Sequence, residues 1–272
     1  MLGKLLKHEF IATKRLYLPI YFATLVLALA VNGFYAIQNK FFDSDSSFSL
    51  ISTVFLTFFT VVFILVLLCC AMSGTIISLY RFYKNVFTDE GYLTNTLPVK
   101  PISILVSKLI TGIVWSIAGI IVLILAIFLT DFDLLGLITR NINISVVTEF
   151  LSDNVLYLTA LSVFSLVSLI LTLSMAYMAV AIGNFANNHK AALSIVVYFA
   201  SVILFEIIAS VSLVITEVNW PESITTFADH STFTISPAYS VIFFVYSGIL
   251  LAVSALELFF THFVMSRKLN LS

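Results

Sequence analysis

Two acidic residues lie inside apolar stretches of this chain of 272 residues, and they are its first candidates for chemistry. Glu206 falls near the middle of the run Ala191–Thr216 and is the only charge in it. A carboxylate at the centre of an apolar span costs several kcal/mol, so it needs a partner or a wet cavity. Two roles stay open for it: a pathway residue facing a cavity, or a carboxyl hydrogen-bonded to neighbouring Ser and Thr hydroxyls. Glu257 lies near the end of the last apolar run, two to three turns before Arg267, with Thr261 one turn on. It is expected to be a satisfied interfacial carboxylate.

Other reactive residue types form no constellation. His8, His189, His230 and His262 fall in different segments without metal-ligand spacing, so no metal site is expected. Cys69 and Cys70 are adjacent, and a bridge between them would force a strained ring. They are expected to be small buried apolar side chains. The chain has no GxxxxGK[ST] loop, no HExxH, no CxxC and no GxSxG elbow. It is therefore expected not to be an enzyme and to hold no cofactor. If ATP drives it, another chain supplies the ATPase.

The elements that must position these groups follow from composition. Apolar residues make up 61% of the chain and charged residues 10%, with a mean hydropathy of +1.12. Soluble domains carry roughly 25% charged residues, because their surfaces face water. The balance here excludes a soluble enzyme, a disordered chain and a disulfide scaffold, and leaves lipid as the main solvent. Uncharged runs long enough to cross a bilayer begin at Leu16, Ser46, Leu109, Asn154, Ala191 and Ser231, the fifth interrupted by Glu206. They predict spans at about 16–38, 50–80, 102–130, 156–183, 193–217 and 238–264. The second and fourth runs would each be about 50 Å long as helix, enough for a hairpin. Their ends carry opposite charges, with Asp43 and Asp45 against Arg81 and Lys84, and Glu149 and Asp153 against Lys190. One crossing each is expected.

Loop charges orient the spans. With the N-terminus inside, Lys4, Lys7, Lys14, Arg15, Arg81, Lys84, Lys100, Lys108, Lys190, Arg267 and Lys268 are cytoplasmic, and only Lys40 and Arg140 lie outside. Both termini are thus expected in the cytoplasm. Residues 1–15 carry Leu2, Leu5, Leu6 and Phe10 at helical spacing among Lys4, Lys7, His8 and Lys14. They read as a basic amphipathic helix on the inner leaflet. A signal peptide is not expected, since the apolar run continues through Ile37.

The loop 81–101 is the most specific stretch. Thr88 is a suitable N-cap, and Asp89 and Glu90 favour a helix start. Tyr92, Leu93 and Thr96 then share a face, and Pro98 and Pro101 end the helix before span three. The run Asp89-Glu90-Gly91-Tyr92-Leu93-Thr94-x-Thr96-Leu97-Pro98-Val99 resembles the coupling loop of bacterial ABC exporter permeases of the type-2 family. The order of parts is similar too: a basic amphipathic start, six spans and a short basic tail.

That resemblance implies an all-α polytopic fold with an N-terminal interfacial helix and a short cytoplasmic coupling helix. In this chain the coupling helix would use Thr88, Asp89, Glu90, Gly91, Tyr92, Leu93, Thr96 and Leu97 to dock on a cytoplasmic ABC ATPase subunit. ATP and Mg would be held by that subunit. The resemblance also implies a second permease subunit, identical or related, a bacterial cell membrane, and a partly re-entrant segment near Val218–Pro237. The substrate is expected to be hydrophobic or amphipathic, such as a peptide, a drug or a lipid-linked molecule. No nucleic-acid partner is expected. Two other classes stand beside it: a proton-coupled secondary transporter using Glu206, and a non-transporting membrane anchor or sensor. The first would show repeated halves, and residues 1–136 and 137–272 show none. The second would carry a sizeable soluble domain, for which no stretch has the composition.

Overall fold

The computed structural model describes residues 2–41, 47–88, 91, 100–130, 144–186, 189–219 and 237–267. Among the described residues all regular structure is helical: α1 (Leu2–Phe41), α2 (Ser47–Phe87), α3 (Pro101–Thr130), α4 (Ile144–Asp153), α5 (Val155–Gly183), α6 (Lys190–Asn219) and α7 (Pro237–Arg267). All but α4 are long and apolar enough to cross a membrane. The chain is an all-α, multi-pass membrane protein. Each of the two longest uncharged runs is served by one spanning helix, α2 and α5, as the charge asymmetry at their ends requires.

Two differences from the sequence expectation concern helix limits. Residues 2–15 are the first turns of α1 and not a separate surface helix. Nothing between Arg15 and Leu16 stops a helix, and Pro19 removes only one backbone donor. The short helix α4 was not expected. The expected coupling helix falls mainly on residues 89, 90 and 92–99, and the expected re-entrant segment mainly on 220–236; both lie outside the described residues.

The chain forms two compact units, Met1–Ser78 with Ile110–Ile142, and Leu79–Leu109 with Asn143–Ser272. In the first, α1 buries the stripe Thr13, Tyr17, Tyr21, Thr24, Ala28 and Val31, spaced by three or four residues. Lipid is as apolar as a leucine side chain, so membrane helices associate through close packing and polar contacts rather than hydrophobic burial. Both appear here. A β-carbon on Gly74 of α2 would lie 2.5 Å from Ser116 Oγ of α3, so the helices approach closely there. The Tyr17 ring stacks on Trp115 at 4.8 Å, and its hydroxyl lies 3.2 Å from the Gly74 carbonyl and 3.3 Å from Ser78 Oγ. Tyr21 donates to the Trp115 carbonyl at 2.7 Å, reaching it over Gly119, which has no side chain to cover it. Trp115 Nε1 donates to Thr13 Oγ1 at 2.8 Å, and Phe10 packs against the same indole. Of the residues expected on a leaflet surface, Phe10 thus makes a helix–helix contact, while Leu2 is exposed. Near the other end of α1, Asn32 donates to the Leu129 carbonyl, one of the free carbonyls ending α3.

The second unit is organised on α5, which packs along α7 and against α6. Ala160, Val167, Ser174 and Ala181 of α5 are buried at seven-residue spacing. Ser240, Ser247, Ser254 and Thr261 of α7 are buried at the same spacing. Small residues at heptad positions let two helix backbones approach. At the end of α5, a β-carbon on Gly183 would collide with Ser194 Oγ of α6 and lie 2.8 Å from the Ser194 and Lys190 backbones. The α5–α6 turn closes with His189 at φ 62°.

Candidate functional site

The loop between α2 and α3 leaves from, and returns to, one apolar cluster of the second unit. Phe82, Val86 and Phe87 end α2, and Ile104 and Leu105 open α3. Tyr177, Val180 and Ala181 of α5 complete it with Val264 and Met265 of α7. Phe82 is fully buried, 4.4 Å ring to ring from Tyr177 and edge-on to Phe87 at 5.7 Å. Four helix ends thus share a single packed node.

Polar groups tie the two arms of the loop together. Lys108, which the sequence places as a loop-side cation, is only 5% exposed on the second turn of α3. With the Asn85 amide turned to the orientation that satisfies both its ends, its oxygen accepts from Lys108 Nζ at 3.2 Å and its nitrogen donates to the Arg81 carbonyl at 3.2 Å. Residues Ile104 and Leu105, one turn before Lys108, are the sequence signal that its side chain shares their buried face.

Of the eight residues expected to dock a partner, Thr88 and Gly91 are described; Asp89, Glu90, Tyr92, Leu93, Thr96 and Leu97 lie outside the described residues. The Thr88 hydroxyl donates to the Lys84 carbonyl at 2.5 Å. Thr88 thus bonds back through its hydroxyl to the last turn of α2. Its own carbonyl accepts from Gly91 N–H at 2.7 Å, starting a new turn. Gly91 is buried. A β-carbon there would collide with the Val86 carbonyl oxygen and lie 2.7 Å from its carbon. Only glycine fits where the chain folds back over the end of α2.

The two carboxyls of the second unit have opposite surroundings. Glu257 is 8% exposed in the α5–α7 seam, and Ser174 Oγ donates to its Oε2 at 2.5 Å. Thr261 donates to the Glu257 backbone carbonyl at 2.8 Å, not to its carboxylate. Glu257 thus has a hydrogen-bond partner within the α5–α7 seam. Glu206 is exposed on α6, flanked by Ile203, Leu204, Ile207 and Ile208, each more than half exposed. Its nearest hydroxyls turn away, Ser201 to the Tyr198 carbonyl and Ser210 to the Ile207 carbonyl. Neither one fulfils the hydrogen-bonded alternative. Cys70 is buried and Cys69 exposed, both free, because consecutive helical residues point about 100° apart.

Among the described residues no group of His, Cys, Asp and Glu could hold a metal ion. The chain matches no protein-family model, no curated protein and no solved structure.

Proposed function

We propose that this chain is the permease subunit of an ATP-driven ABC exporter in a bacterial cell membrane, with both termini in the cytoplasm. The observation that carries the proposal is the segment Asp89–Val99, which resembles the coupling loop of type-2 permeases, joined at both ends to a node of four helix ends. Docked on a cytoplasmic ABC ATPase subunit that holds ATP and Mg, such a loop passes the closure of the ATPase pair into the spans. The permease pair then alternates between inward-open and outward-open states. Aromatic-rich spans with few fixed charges suit a hydrophobic or amphipathic substrate.

Tyr92 and Leu93 are the apolar anchors of this docking, and Asp89 and Glu90 steer it from the rim. Truncating an aromatic anchor at an interface typically costs about 2 kcal/mol or more. Tyr92→Ala with Leu93→Ala therefore releases the ATPase subunit in a pull-down, or uncouples its hydrolysis from transport in vesicles, with the spans still inserted. Full partner binding and full transport by the double variant would overturn the proposal.

A further inference from the structure

We infer that Lys108 is a positioning residue for the α2–α3 loop: through Asn85 it fixes the register of the two helix ends from which that loop springs, and with it the docking of the ATPase subunit. The role rests on the exporter reading and names a residue that makes its loop work. Among the described residues two charged side chains are buried, Lys108 and Glu257. A lysine near the end of a span ordinarily stretches its stem and carries its ammonium out to the headgroups. Lys108, on the second turn of α3, is 5% exposed and turns inward instead. Its ammonium meets the oxygen of the turned Asn85 amide at 3.2 Å, in the last turn of α2. The Asn85 nitrogen donates to the Arg81 carbonyl of its own helix, which holds the amide with its oxygen toward Lys108.

A buried ammonium is a poor means of gaining stability. Replacing such a group by an apolar side chain of similar volume is often neutral or stabilising, and its best-attested use is to set register. Register is what the neighbouring contacts leave loose. Phe82, Val86, Phe87, Ile104 and Leu105 hold the same two helix ends by apolar packing. Hydrophobic attraction is non-directional, so it resists separation more than sliding or rotation. A hydrogen bond weakens steeply once its geometry shifts. The contact between Lys108 and Asn85 therefore selects one setting of α2 against α3. Thr88 follows Asn85 by one turn and Lys100 precedes Lys108 by about two, so both roots of the loop inherit that setting.

The test pairs two measurements on the full chain: capture of the ATPase subunit from native membranes, read as ATP hydrolysis in the eluate, and melting in detergent. Lys108→Met keeps the length of the stem and removes the ammonium. Its capture is expected to fall roughly fivefold or more while the melting temperature stays level or rises. Asn85→Leu should lower capture as far, and should also lower the melting temperature, because it strips an acceptor from a buried ammonium. Adding Lys108→Met to Asn85→Leu should recover that melting temperature without a further loss of capture. Asn85→Asp, of equal size, still offers the ammonium an oxygen and is expected to keep capture within about twofold of the unaltered chain. Full capture by Lys108→Met, a melting temperature that falls along with its capture, a double variant that loses capture multiplicatively, or Asn85→Asp behaving like Asn85→Leu would each overturn the inference. An unaltered chain that captures no ATPase sinks the exporter reading itself, whereas capture that Lys108→Met leaves intact sinks only the positioning role.

Discussion

Replacing Phe82 by alanine tests whether the node under the α2–α3 loop holds the second unit together. In a water-soluble core Phe→Ala costs about 3–5 kcal/mol, part of it lost transfer from water. That part shrinks in a membrane protein, because lipid solvates an exposed phenyl ring about as well as a core does. The remainder can be worked from the geometry. Two ring contacts disappear, with Tyr177 at 4.4 Å and with Phe87 at 5.7 Å. Such pairs are worth about 0.5–1.5 kcal/mol each beyond their area, so about 1–3 kcal/mol is lost before any cavity is counted. A cavity at a site gathered from four helix ends collapses poorly and brings the total to about 2–4 kcal/mol. The expected fall in melting temperature is roughly 4–12 °C, measured as loss of the monodisperse species on heating in detergent. Phe82→Leu restores most of the volume and should lose less than half as much. Phe55, 59% exposed, is the control, and its alanine variant should change stability by no more than about 0.5 kcal/mol. Equal shifts for Phe82→Ala and Phe55→Ala would refute the node.

Two further outcomes are expected. Gly91→Ala forces the backbone away from Val86 and should cost about 1–3 kcal/mol locally. It should lower ATPase-subunit capture at least fivefold while the melting temperature moves less than for Phe82→Ala; unchanged capture would show that the fold-back over α2 is unimportant for docking. For orientation, single cysteines at Ser46, Asn141 and Ser223, in a background lacking Cys69 and Cys70, should react with an impermeant thiol reagent from outside intact cells. One at Asn188 should not, and the reverse pattern would invert the chain.

Hydropathy and end charges place the spanning helices because those signals are summed over twenty or more residues. Limits are harder to place, since a helix stops only where something stops it. The chain offers no such signal at Arg15, so α1 runs from Leu2 to Phe41. α2 likewise passes the expected end at 80 and carries Arg81 and Lys84 into its last turns. α4 escaped notice because Glu149 and Asp153 mark its stretch as loop. In the candidate site, the depth of Glu206 is legible but its direction is not. Direction depends on which neighbours α6 meets, and a hydrophobic helix has no polar face to declare it. The burial of Lys108 and the collision that only Gly91 avoids are tertiary facts, set by the Asn85 amide and the Val86 carbonyl.

The hydroxyl heptad of α7 has a consequence for how this sequence can drift. Ser247 donates to Phe244, Ser254 to Leu251 and Thr261 to Glu257, each to a carbonyl of its own helix. These bonds exist before α5 arrives and survive if it leaves, so they add nothing to the association of the two helices. What α5 senses at these positions is bulk alone. Alanine and glycine should therefore circulate freely there among related sequences, while leucine or phenylalanine should be purged. Ser174 differs, since besides the Leu171 carbonyl of its own helix its hydroxyl also meets a carboxyl on the opposing helix. Variation at Ser174 should travel with variation at Glu257, giving one correlated pair in a seam whose other positions record only size.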